Sequence, residues 1–266
     1  MKKLIFTLLL ILPQLVFSQS VLIVSDMDDT IKVSHVLDPD SAIGNTIAVK
    51  NAFMGMPELY QRLAKIESAT PIHYLSNAPR KIMIKSHRKF IRINKFPKGE
   101  LVLNPETIDS EHKIKSLRKM IEKFQPDEMI LIGDNGEHDS EVYAQIRKEY
   151  PHIGGLTYIH LAYSKFGYEG SFGKPLLDNQ IGWATSLDLA LDLMFKGIIE
   201  MKDYLQVVEA VEERALAEKN DVVRNRQMMF PAWFDCRDFT APVLPGISSE
   251  LQTKIELRCA SEPIDD

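Results

Sequence analysis

The chain has 266 residues, 45% of them hydrophobic and 26% charged, a balance that excludes a disordered tail, a collagen-like fibre and a low-complexity linker. Its 32 basic and 37 acidic side chains leave a formal charge of −5, which argues against nucleic-acid binding through bulk charge. The length suits one generous domain, or a domain of about 150 residues with a sizeable appendage.

Residues 1–18 read as an address. Met1-Lys2-Lys3 is a short basic start, followed by an apolar run too short to cross a bilayer, which takes about 20 residues. Pro13 breaks the run, and Val16 and Ser18 supply the small residues of a cleavage site. The expectation is a signal peptide cut after Ser18 and export to a periplasm or out of the cell. No membrane span is expected in the mature chain, whose charge moves from −5 to −7 as Lys2 and Lys3 leave. The other reading of the run is a buried N-terminal strand or helix. In an oxidising compartment Cys236 and Cys259 pair by default, worth about 3 kcal/mol for a loop of this length. The alternative is two free buried thiols.

The apolar runs 21–24, 72–75, 101–103, 129–132 and 156–161 carry the signature of strands buried on both faces. Between them, 58–66, 80–94, 112–124 and 140–150 read as helices. This alternation predicts an α/β fold, a doubly wound parallel sheet with helices on both faces. Chemistry is then expected at the carboxyl ends of the central strands. From Ser164 the alternation is expected to stop. Gly167, Gly170 and Gly173 lead into an amphipathic helix over 183–199, edged by Asp188, Asp192 and Lys196. That helix either packs on the sheet or lies on a membrane. A charged helix over 200–225 follows, then an irregular aromatic and proline-rich tail bearing the cysteines. The division is a signal peptide over 1–18, a core over 19–163 and a helical extension over 164–266.

Directly after the first strand comes Asp26-Met27-Asp28-Asp29-Thr30. Three carboxylates in a half-buried loop call for a compensating cation, and a hard divalent ion with oxygen ligands, Mg²⁺, is the natural one. After the fourth strand, Gly133-Asp134-Asn135-Gly136 turns tightly and brings Asp134 to the same sheet edge, with Asp139 five residues on. Ser76-Asn77, after the second strand, offers a hydroxyl and an amide to phosphate oxygens. Lys113, at a helix start, offers a point charge beside a positive helix terminus. Separately these are an ordinary turn, a cap and a surface lysine. In this order, each at the end of its element, they read as one phosphate site.

Residues 80–98 contain eight basic side chains and no acidic one. On a helix of about 100° per residue, Lys81, Lys85, Arg88, Arg92 and Lys95 share an arc of about 80°, with Met83, Ile84, Phe90 and Ile91 opposite. The stripe reads as a contact with an anionic membrane through Lys81, Lys85, Arg88 and Arg92, as steering of a phosphorylated substrate, or as a plain solvated face.

The order Asp26-x-Asp28-x-Thr30, Ser76, Lys113 and Gly133-Asp134 with Asp139 resembles the haloacid dehalogenase phosphatase superfamily. More narrowly, the strings over 25–34, 74–79, 112–113 and 131–143 are similar to the catalytic domain of the actin-patch phosphatidate phosphatase family, a likeness running from about 21 to 163. The resemblance implies that Asp26 is the nucleophile, forming a phosphoaspartate, and that Asp28 is the general acid and base. It implies Mg²⁺ held by the carboxylates of Asp26 and Asp134 and the backbone carbonyl of Asp28, with Asp139 nearby. Ser76 and Lys113 would bind the phosphoryl oxygens, with Asn77 and Arg80 beside them; the family usually has an aromatic residue where Arg80 stands. Ile31 to Pro57 spans 27 residues, room for a hairpin flap but not a cap domain. An uncapped site suits a large or surface-embedded substrate. The implied function is an exported Mg²⁺-dependent phosphomonoesterase acting on phosphatidate. The alternatives are a broad-specificity exported acid phosphatase and a phosphatidate-binding module without turnover.

Overall fold

A strand with two covered faces needs apolar residues at every position, and the first strand shows why. In β1 (Val21–Ser25), Val21 and Ile23 enter one apolar layer while Leu22 and Val24 enter the other. Truncating a fully buried leucine such as Leu22 to alanine costs about 2–5 kcal/mol. The computed structural model describes residues 19–38, 48–105, 109–166, 172–218 and 226–260. The expected signal peptide, the tip of the expected flap (39–47) and the end of the expected charged helix (219–225) lie outside these described residues.

Five further strands join β1: β2 (His73–Pro79), β3 (Glu100–Asn104), β4 (Glu128–Asp134), β5 (Gly154–His160) and β6 (Ile181–Trp183). The sheet order is β3-β2-β1-β4-β5-β6, and every pair is parallel. One layer is built by α1 (Met56–Leu63), α2 (Arg80–Ile93), α5 (Ser186–Phe195), α6 (Met201–Leu216) and α7 (Ser249–Arg258). The other is built by α3 (His112–Phe124) and α4 (Asp139–Glu149), through Leu117, Ile121, Tyr143 and Ile146. This is the doubly wound sheet the alternation predicts. Chain order reverses direction between β1 and β4, and in such sheets that crevice, at the carboxyl ends, is where ligands bind.

The register levels those ends. Ser25 of β1 lies beside Ile132 of β4, and the Asp26 amide continues the ladder to the Ile132 carbonyl at 2.8 Å. Asp134 lies beside His160 of β5. Asp26, Ser76 and Asp134 therefore share one edge.

Past Ser164 strict alternation stops as expected, since among the described residues no helix separates β5 from β6 and α5, α6 and α7 follow in succession, but the sheet gains one more strand and the expected helix start at Trp183 is corrected. Residues 181–183 form β6, so Trp183 ends a strand and does not begin a helix. Three residues including Gly182 give no readable period, but Trp183 is buried with its ring 4.0 Å from that of His160. The helix begins at Ser186, where Thr185 Oγ1 accepts from the amides of Leu187 and Asp188. Asp188, expected on a solvated edge, is buried and returns the cap by accepting from the Thr185 amide at 2.8 Å. The tail expected to be irregular contains α7, and Cys236 and Cys259 are disulfide-bonded.

Candidate active site

The turn after β1 is built by its own third aspartate. Asp29 has φ 57°, and its carboxylate accepts from the amides of Ser34, His35 and Val36 at 2.7–2.8 Å and from the Tyr163 hydroxyl at 2.5 Å. Burial pushes this carboxyl up to about 6, opposed by those four donors. The turn leaves Asp26 and Asp28 with different partners and in different electrostatic surroundings.

Asp26 is buried beside the ammonium of Lys113, with Nζ to Oδ1 2.6 Å. Lys113 also bonds the Asp139 carboxylate and lies 3.8 Å from Glu137. Burial opposes the lysine's charge, but Asp139, Asp26 and Glu137 outweigh it and hold the ammonium well above the ordinary lysine value. Asp134 Oδ1 accepts from the amides of Gly136 at 2.6 Å and Glu137 at 3.2 Å. Burial, and then Asp139 and Asp26, push the Asp134 carboxyl well above the usual carboxylate range. Burial also raises Asp26, against the pull of Lys113. One ammonium does not balance three buried carboxylates.

A cation fits this arrangement. One oxygen from each of Asp26, Asp134 and Asp139 lies within 4.8 Å of the others. Asp26 Oδ2 and Asp134 Oδ2 are buried with no hydrogen-bond partner. Orphaned, charged, convergent oxygens are the donor set that a hard divalent ion takes. Gly133 keeps the space open, since a Cβ there would stand 2.5 Å from Asp139 Oδ2.

Asp28 is held differently. Its Oδ1 accepts from Lys32 Nζ at 3.0 Å and Ser34 Oγ at 2.6 Å; its Oδ2 accepts from Ser76 Oγ at 3.3 Å and lies 3.6 Å from His87 Nε2. Burial would raise this carboxyl, yet Lys32, His87 and Ser34 hold it well below the usual range. Ser76 thus faces Asp28, and its oxygen also accepts the Ala78 amide at 3.1 Å. Asn77 reaches Glu137, Nδ2 to Oε2 3.5 Å, and its own Oδ1 is buried and unpartnered. Arg80 is exposed at the start of α2, lining the surface grooves beside Glu100 of β3, and among the described residues no hydrogen bond joins it to the carboxylates.

Four contributors escaped the sequence reading: Lys32, Ser34, His87 and Glu137. Two had a signal. Lys32 stands four residues from Asp28, and His87 stands four after Met83 and three before Phe90 on the buried face of α2. The extension also reaches the site. Trp233 stacks on Tyr163 and on His35, ring centroids 5.0 and 4.6 Å apart, and Asp235 donates its amide to the Ala162 carbonyl at 3.0 Å.

An acid at the end of the first parallel strand, a lysine bridging it to a second acid and an acidic trio at the switch point define the class: a doubly wound α/β domain with one buried carboxylate–lysine centre at the carboxyl edge of its sheet. The family model described as "Phosphatidate phosphatase APP1, catalytic domain" matches residues 21–160. The chain is 26% identical over 142 residues to phosphatidate phosphatase APP1 of Saccharomyces cerevisiae, covering 48% of this chain and 24% of that protein. It is 25% identical over 145 residues to an uncharacterised protein of Schizosaccharomyces pombe, covering 48% and 23%. The chain thus spans about a quarter of the length of the curated relatives it matches. Among solved structures, the tungstate-bound class C acid phosphatase of Bacillus anthracis aligns with 14% identity and a TM-score of 0.36, over 68% of this chain and 80% of that one. The chain belongs to the family of the phosphatidate phosphatase APP1 catalytic domain.

Proposed function

We propose that this chain is an exported, Mg²⁺-dependent phosphomonoesterase whose substrate is phosphatidate and which works through a phosphoaspartate on Asp26. The observation that carries the reading is the buried Lys113 ammonium clamped between Asp26 and Asp139, beside the unpartnered oxygens of Asp26 and Asp134. Asp26, Asp134 and the Asp28 carbonyl, with Asp139 beside them, would hold the ion; bound there, it supplies positive charge that offsets repulsion between nucleophile and phosphate.

The chain's own residues do the rest. Asp26 Oδ attacks phosphorus as the bond to the leaving alkoxide breaks, and water then cleaves the acyl phosphate, returning the carboxylate and releasing phosphate. Lys113 and Ser76 donate to phosphoryl oxygens, where charge builds in the transition state. Asn77 and Arg80 complete the phosphate contacts at the rim. Asp28 is a carboxylate in the free site; an arriving phosphate dianion raises its proton affinity, so that it takes up a proton from solvent as substrate binds, gives that proton to the departing alkoxide and later takes one from the hydrolytic water. Electrostatic attraction to anionic lipid comes from the exposed Lys81, Lys85, Arg88 and Arg92 of α2.

The test is hydrolysis of phosphatidate in mixed micelles against p-nitrophenyl phosphate and nucleotides, each with Mg²⁺ and with chelator. Preference for phosphatidate, abolished by chelator and by Asp26→Asn, is the expected result. Equal turnover of all three would favour a broad-specificity acid phosphatase, and phosphatidate binding without turnover would leave a binding module. Export is tested separately, by the N-terminal sequence of protein recovered outside the cytoplasm, expected to begin at Gln19.

A further inference from the structure

Because β1, β2, β4 and β5 are parallel, the segments that follow them all emerge at the edge holding Asp26, Ser76 and Asp134. Two of these segments present large apolar side chains to solvent. After β5, Phe166 is 67% exposed and Phe172 52%; after β2, in the first turn of α2, Ile82 is 71% exposed. Scattered surface hydrophobes are ordinary, but these follow the two strands that stand on either side of β1 and β4.

The first segment is fastened to the site. Asn135, next to Asp134, donates Nδ2 to the Tyr163 carbonyl at 2.6 Å and accepts the Tyr163 amide at 3.1 Å. Its own carbonyl accepts the Lys174 amide at 2.7 Å, and the Gly173 amide closes onto the Ser164 carbonyl at 3.0 Å. Phe166 and Phe172 lie within two residues of that closure. Cations accompany each apolar group. Lys165 Nζ sits 4.9 Å from the Phe166 ring centroid, and exposed Arg80 and Lys81 precede Ile82. Aromatic and aliphatic side chains beside exposed cations match the boundary between headgroups and acyl chains.

We propose that this rim is the face on which the protein meets an anionic phospholipid bilayer. Phe166, Phe172 and Ile82 enter the interface, Lys165, Arg80 and Lys81 pair with headgroup phosphates, and a lipid phosphate reaches the carboxylate edge with its acyl chains still in the membrane. The inference rests on the phosphatidate reading and names the surface that reading requires. It also divides the labour with α2. That helix starts at the rim and runs about 20 Å away from it, so Lys85, Arg88 and Arg92 act at a distance and are screened by salt. Apolar insertion is not.

The experiment is co-sedimentation of the full chain with phosphatidylcholine vesicles, with and without phosphatidate, at low and high salt. Phe166→Ser/Phe172→Ser and the triple variant with Ile82→Ser should weaken binding about tenfold or more at both salt concentrations. Turnover of p-nitrophenyl phosphate should be unchanged, which shows the variants are folded. Phe172→Trp should gain blue-shifted emission on vesicles, quenched by lipids brominated in their acyl chains. Wild-type binding abolished by high salt, or undiminished binding by the triple variant, would overturn the proposal even if phosphatidate is cleaved. Loss of binding in a protein that never cleaves phosphatidate would support the surface and refute the substrate.

Discussion

Replacing Asp134 by asparagine should make the metal-free protein more stable and the enzyme inactive. Asp134 Oδ1 accepts two amides, which an asparagine oxygen keeps; Oδ2 has no partner, and one oxygen of this carboxylate lies within 4.8 Å of an oxygen from each of Asp26 and Asp139. Two like charges at that separation repel by about 3 kcal/mol at an effective dielectric of about 20. Lys113 offsets part of this, so Asp134→Asn should gain about 1–3 kcal/mol in chelator. Mg²⁺ reverses the order. Binding to the native state alone adds about 3 kcal/mol at a hundredfold excess over Kd, and the variant forfeits most of it. Guanidinium unfolding of both proteins, in chelator and in excess Mg²⁺, reads all four values. A variant less stable than wild type in chelator, or one with the full Mg²⁺ increment, would refute a repulsive trio that a cation resolves.

Three further outcomes follow from the same geometry. Gly133→Ala puts a Cβ 2.5 Å from Asp139 Oδ2 and 2.8 Å from the Tyr143 ring; a loss of about 1–3 kcal/mol and a weaker Mg²⁺ effect are expected in the same melts. Tyr163→Phe removes one of four donors to the buried Asp29 carboxylate, costing about 1.5–3 kcal/mol; kcat should fall with it, since Asp29 holds the loop carrying Asp28 and Ser34. Burial raises the Asp188 carboxyl to about 6. Its stabilising effect is therefore full below its unfolded value near 4 and is lost as pH rises through about 6, a swing of about 3 kcal/mol. Asp188→Asn should remove that share of the difference between melts at about pH 7 and pH 4.

What the sequence alone determined are the features written in local chemistry. Unbroken apolar runs required a sheet covered on both faces, and the acids and glycines after those runs had to fall at one edge, since parallel strands end together. The second motif, the lysine and the acidic turn were legible for that reason. Tertiary structure decided what no local pattern encodes. Trp183 became a strand residue because His160 offered its ring, not because three residues with a glycine prefer extension. Asp26 and Asp28, two residues apart, diverged because Lys113 came to one and Lys32, Ser34 and His87 to the other. Trp233, far along the chain, reached the loop after β1 because the rings of Tyr163 and His35 lay there to be stacked on. Charge and burial at a point depend on everything packed around it, and only the folded chain brings those neighbours together.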